Sequence, residues 1–159
     1  MNDCMNDCMG EYQYDCSMEK CEKPKPKPKH RPQPCVINVS RQAAMNMDFR
    51  TTPWTGCYAQ MTLMCIPKCQ DIGWEIHEET DQIIRIEQGF ALVKVGKCKE
   101  HIELCAKLGR GDALFVPAGS WHNVINIGRC PLKLSSVYAP PHHPAGTVHH
   151  TKENAVSVY

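Results

Sequence analysis

The stretch that most constrains this chain is Gly111-Asp-Ala-Leu-Phe-Val-Pro117-Ala-Gly119-Ser-Trp-His122-Asn-Val-Ile-Asn126, where glycine, proline and histidine punctuate an apolar run. Gly111 and Asp112 mark a turn, and residues 113–116 read as a short apolar strand. Pro117-Ala-Gly119 bends the chain sharply. Residues 121–127 read as the next strand, from which the His122 imidazole can point inward. A single histidine so placed is commonly a hydrogen-bonded core residue. A second polar cluster upstream changes its setting.

That cluster is Glu75-Ile-His77, followed by Gln82 and then Gly89. Residues two apart on a strand share a face, so Glu75 and His77 point together. Glu78-Glu79-Thr80-Asp81 turns the chain, and residues 82–87 return with Gln82 near the cluster. Elsewhere, residues 36–39 read as a first strand, with Ser40 capping a helical turn through Met45. Residues 57–66, 72–77, 82–88, 90–95, 100–105 and 132–139 read as further strands, with a turn at Gly96-Lys-Cys-Lys99. Short strands separated by frequent turns form the all-β pattern.

As spacing, the first stretch is Gly, five residues, Pro, one, Gly, two, His, three, Asn. It resembles the second signature of the cupin superfamily at every fixed position. The upstream cluster resembles the first signature (His, one residue, His, three or four, Glu, six, Gly), keeping His77 and Gly89. Glu75 stands where the first His usually is, Gln82 where the Glu is, and Cys69 where an opening Gly is. Residues 57–152 are similar to a small single-domain bacterial cupin. Residues 72–77 and 81–87, with Tyr138-Ala-Pro-Pro, resemble the subgroup labelled mannose-6-phosphate-isomerase-like. The implied fold is an all-β, cupin-type jelly-roll barrel. Carried over position by position, the implied ligands are Glu75, His77, Gln82 and His122, for a divalent transition metal: Mn, Fe, Ni or Zn. No Cys occupies a ligand position, which argues against a closed structural zinc site. The alternative is a polar barrel mouth in which Glu75 and Gln82 hydrogen-bond the histidines and no metal enters.

Lys+Arg 18 against Asp+Glu 17 gives a formal charge of +1, so no global field draws nucleic acid or an anionic membrane. No apolar run approaches the roughly 18 residues of a membrane helix. The N-terminus lacks the basic start and apolar core of a secretory signal, so a cytoplasmic location is expected. Residues 1–34 read as a disordered Cys- and Lys/Pro-rich N-terminal tail, and residues 35–159 as the barrel with an extended C-terminal wrap. Alternating Lys and Pro over residues 23–29 favours an extended spacer. Five of the eleven cysteines lie in the first 35 residues and are expected as free thiols in a reducing compartment. His142-His143 and His149-His150 lie in the wrap. Neighbours on an extended chain face opposite ways, so neither pair is expected to chelate. Open sheet edges, together with the resemblance to cupins, imply a homodimer, with residues 36–39 or the wrap covering a partner's edge.

These features imply a metal-binding cupin that acts on or binds a small oxygenated metabolite, in a sugar-phosphate-isomerase-like or dioxygenase-like reaction. Isomerisation needs a separate base, for which Tyr58 and His101 are candidates. Dioxygenase chemistry needs only open positions on a redox metal. A non-catalytic small-molecule binder is one alternative. A structural protein of a Cys-cross-linked layer, such as a spore coat, is another.

Overall fold

The computed structural model describes residues 32–156; the expected tail lies, up to residue 31, outside the described residues. In chain order the elements are α1 (Val39–Met45), β1 (Arg50–Thr55), β2 (Gln60–Ile66), β3 (Asp81–Gln88), β4 (Ala91–Cys98), β5 (His101–Leu108), β6 (Ala113–Val116), β7 (Trp121–Asn126), β8 (Leu132–Ala139), β9 (Val148–His149) and α2 (Lys152–Val156). They form two antiparallel sheets, one ordered β6-β3-β8-β2-β1-β9 and one ordered β5-β4-β7. Ile84, Ile86, Leu134, Val93 and Val124 come from both sheets and belong to one buried cluster between them. This is the all-β class that the strand pattern gave and the jelly-roll arrangement that the resemblance implied.

Alternation explains most faces. On β3, Gln82, Ile84 and Ile86 turn inward while Ile83 and Arg85 turn out. Glu87 is buried on the outer side, where α1 covers the sheet. Its carboxylate accepts from Ser40 Oγ (2.7 Å), Ser135 Oγ (2.8 Å) and Arg85 Nη1 (2.7 Å). Burial opposes its ionisation, but these donors outweigh it and hold the carboxyl below its usual range. Asn126 closes a corner, its Nδ2 donating to the carbonyls of Ile66, Pro67 and Cys130.

Several local expectations change. Residues 36–38 are not a strand, and the helix cap is Asn38, whose Oδ1 accepts from Arg41 N at 2.9 Å. Ser40 reaches Glu87 instead. Strand β1 was not anticipated, because Pro53 and the polar Arg50-Thr51-Thr52 hide its pattern. Residues 72–77 are not a continuous strand; their pairing is limited to the isolated bridges Asp71–Ile125 and Glu75–His122. Strand β4 runs through Gly96 to Cys98 rather than turning at Gly96. A Cβ on Gly96 would lie 2.0 Å from the His101 carbonyl oxygen, so glycine permits the irregular pairing there. The wrap covers β1 of its own chain through β9 and ends in α2, a helix with no sequence signal.

Cys69, standing where the family pattern has glycine, is the one non-glycine residue with positive φ (62°) among those described. It occupies the third position of the turn closed by Gln70 N donating to Pro67 O, a position that favours glycine when φ is positive. Left-handed backbone costs an L-residue about 1–2 kcal/mol, partly offset by the greater unfolded-state entropy of glycine. Cys69→Gly is therefore expected to raise the thermal midpoint by a few degrees, and Cys69→Val to lower it. Circular dichroism melts check both, and an unchanged midpoint for both variants contradicts the strain argument.

Candidate metal centre

Backbone pairing builds the centre. Glu75 N donates to His122 O (3.0 Å) and His122 N donates to Glu75 O (2.9 Å), which sets the two residues opposite each other. The bend before β7 is tied to the same arm, since Gly119 N donates to His77 O at 2.9 Å. One ligand atom each from Glu75, His77 and His122 lies within 4.8 Å of the others. Gln82 lies on β3 and is fully buried. Its Nε2 donates to Tyr138 Oη (2.9 Å) and Ser136 Oγ (3.3 Å).

The decisive observation is burial without partners. Glu75 Oε2, both His77 ring nitrogens, Gln82 Oε1 and His122 Nε2 are buried and make no hydrogen bond. Each such group costs about 1–3 kcal/mol when left unmatched. The metal-free alternative requires these groups to satisfy one another. Glu75 Oε2 and His77 Nε2 are 3.8 Å apart, beyond hydrogen-bond distance, so the carboxylate does not satisfy this imidazole; the Gln82 side chain is the neighbour that favours a proton on His77. A divalent cation would use Glu75, His77 and His122 at once, so these residues fit the group. His122 Nδ1 lies 3.1 Å from Ser120 O, which favours the tautomer with the lone pair on Nε2.

The electrostatics agree. Burial, reinforced by His142, His122 and Arg50, pushes the His77 imidazole down to about 3. Burial likewise lowers His122, with the Ser120 carbonyl and Glu75 opposing. Both rings are thus neutral, the form that binds metal.

Sequence reasoning missed two members of this site. Arg50, on the unanticipated β1, is 2% exposed, and its Nη2 lies 3.0 Å from Glu75 Oε1. The carboxylate is thereby divided, with one oxygen on the guanidinium and the other toward the histidines. His142 packs its ring 4.1 Å from that of His77. The wrap histidines were expected not to chelate as adjacent pairs, and His142 reaches the site singly, where the chain at residues 140–147 is not a strand. Buried Gln60 clamps the backbone there: Oε1 accepts from His143 N (2.9 Å) and Nε2 donates to His143 O (2.7 Å). The Pro-Pro-His sequence was the only available signal. Tyr58 is 71% exposed and His101 is exposed on β5, so neither reaches the centre. A cavity of about 510 Å³ opens beside it, lined by Arg50, Trp74, Glu75, His77, His142 and Lys152 among others.

Comparison with known proteins places this geometry. Residues 62–138 match the family model described as Cupin domain. The uncharacterized protein YrkC of Bacillus subtilis (strain 168) is 52% identical over 126 residues, covering 79% of this chain and 68% of that protein. An uncharacterized protein of Acanthamoeba polyphaga mimivirus is 37% identical over 114 residues, covering 71% and 69%. The crystal structure of BH2720 from Bacillus halodurans superposes with a TM-score of 0.79 at 45% identity, covering 81% of this chain and 98% of that one.

The donor set ranks the substitutions. His122→Ala should weaken metal binding by more than about tenfold and more than Gln82→Ala does, since water can replace a neutral amide oxygen. Gln82→Glu should tighten it by adding charge. Calorimetric titration with Zn(II) or Mn(II) reads both. Equal losses for His122→Ala and Gln82→Ala would assign Gln82 to fold support or to the ligand.

Proposed function

The chain belongs to the cupin family, and on that premise we propose that it is a metal-dependent protein acting on a small oxygenated metabolite. The observation that carries the reading is the convergence of ligand atoms from Glu75, His77 and His122 within 4.8 Å of one another, with buried Gln82 as the fourth candidate. These residues would hold one ion of Mn, Fe, Ni or Zn. Such an ion supplies Lewis-acid polarisation and, with Fe or Mn, redox chemistry. The chain's own groups shape the rest of the site. Arg50 holds Glu75 in position, Ile72 and Trp74 wall the cavity, and His142 presents an imidazole beside His77.

Dioxygenase-like chemistry is the favoured reading, because Tyr58 and His101 lie on the exterior and isomerisation needs a base. The mannose-6-phosphate-isomerase-like reading is second, and only His142 beside His77 speaks for it. A cytoplasmic setting accompanies the proposal, in keeping with the unbridged thiols among the described cysteines. No helix among the described residues is long and apolar enough to cross a membrane. Untagged protein should contain about one transition metal per chain by elemental analysis, and the Fe(II)-loaded form should consume O₂ with its substrate. Protein that neither retains nor takes up metal sinks the proposal.

The homodimer also belongs here, on a revised basis. Residues 36–38 form no strand within the chain and β9 pairs with its own β1, so neither is the favoured contact for a second copy. The outer face of the large sheet instead carries Phe115, Ile83, Val137, Met61 and Trp54 directly opposite one another across β6, β3, β8, β2 and β1. Phe115 is 69% exposed and Ile83 41%, an apolar row suited to a second copy. Light scattering at micromolar concentration should give a dimer mass that Phe115→Glu reduces to a monomer. A wild-type monomer refutes this part.

A further inference from the structure

The charges around the cavity leave a balance that the metal upsets. Two cations face it, Arg50 and Lys152, and each is already paired. Arg50 holds Glu75, and Lys152 holds Asp71, which also accepts from Asn123 Nδ2 at 2.9 Å. An imidazole binds a metal in its neutral form, so His77 and His122 add no charge to a loaded site. Protein charge at the site therefore sums to zero: two positive groups against two negative ones.

A divalent ion at Glu75, His77, Gln82 and His122 adds two positive charges to this neutral set. Glu75, the carboxylate among the candidate ligands, is already shared with a guanidinium that is 2% exposed. In so buried a place an uncompensated charge is unfavourable, and the ion and Arg50 repel each other. A neutral alcohol or sugar entering the cavity does nothing to offset this. An anion offsets it directly, and the planar N–H array of an arginine matches the oxygens of a carboxylate or a phosphate.

We infer that the metabolite is a small anion, bound through carboxylate or phosphate oxygens against Arg50, and that its binding and metal binding reinforce each other. This rests on the metal-centre reading and narrows it, since an oxygenated but uncharged ligand is then a poor one. Arg50 has two roles: it aims Glu75 at the histidines, and it makes the loaded site depend on an incoming negative charge. Coupling of this kind is reciprocal by thermodynamic necessity.

The test measures linkage rather than turnover. The full chain, untagged and metal-free, is titrated with Zn(II) or Mn(II) in buffers containing acetate, methyl phosphate or uncharged acetamide, with free-metal complexation corrected. Acetate or methyl phosphate should tighten metal binding about tenfold, within the usual range of coupled sites, and acetamide should leave it unchanged. Whichever anion acts identifies the carboxylate or the phosphate source. In the converse titration, metal-loaded protein should bind that anion about tenfold more tightly than metal-free protein. Arg50→Gln should reduce the coupling to a small fraction, and Arg50→Lys, which keeps the charge, should retain most of it. The wild-type linkage stands without either variant should they fold poorly. Metal binding that ignores both anions, or that responds equally to acetamide, overturns the inference and leaves the metal centre intact. Undiminished coupling in Arg50→Gln overturns the role of Arg50. Failure to bind metal in every buffer removes the centre itself, and this inference with it.

Discussion

The reciprocal backbone pair between Glu75 and His122 is the contact on which the site depends. Residues 72–77 lack a continuous ladder, so two short bridges fix where Glu75 and His77 stand relative to β7. The rigid partner is β7, which pairs along its length with β4 and carries His122 and Val124 into the interior. Without that pair the two polar clusters would be near one another but not aligned. The Gly119-to-His77 hydrogen bond serves the same end from the other side, by tying the corner before β7 to the arm.

Burial then decides the protonation of the site. A histidine held near pKa 3 when folded and near 6.5 when unfolded makes the folded state refuse protons that the unfolded chain accepts. The resulting stability is present above the unfolded value and is lost as pH falls through the interval between the two. Metal binding runs the same way, because protonation removes the lone pairs that a cation needs. The interior thus keeps its imidazoles ready for a cation at neutral pH while bearing the cost of their unmatched nitrogens. Such a cost is commonly tolerated where a site has a use for it.

What was legible in the sequence follows from which interactions are local. The second signature showed its strands and corner because Gly111, Pro117 and Gly119 act through their own backbone preferences. The inward face of Glu75 and His77 followed from two-residue spacing, even though the arm is not a regular strand. Cys69 was recognised only as a departure from a pattern; its positive φ shows that the turn geometry persists without the glycine. Arg50 and His142 were not legible, for different reasons. Arg50 lies on a strand whose alternation is broken by Pro53, and its partner is 25 residues away. His142 was judged by the alternation of an extended chain, whereas Gln60, 82 residues earlier, dictates the path of its backbone.

That clamp bears on how the wrap should be regarded. Gln60 sits at the start of β2, opposite Tyr138 on β8, and Tyr138 also accepts from Gln82. One continuous set of contacts therefore runs from the candidate ligand Gln82 through Tyr138 to the rings of His142 and His143, which pack 5.7 and 5.1 Å from the tyrosine ring. Strand β9 then pairs with β1 at Arg50 itself, placing His149 opposite the residue that holds Glu75. The segment after β8 is thus bound at both ends to residues that shape the centre. A change in the wrap alters the placement of Arg50 and His142 together, and through them the carboxylate and imidazole that border the cavity. Its proline-rich surface suggested a covering for the barrel, but its hydrogen bonds make it one wall of the site.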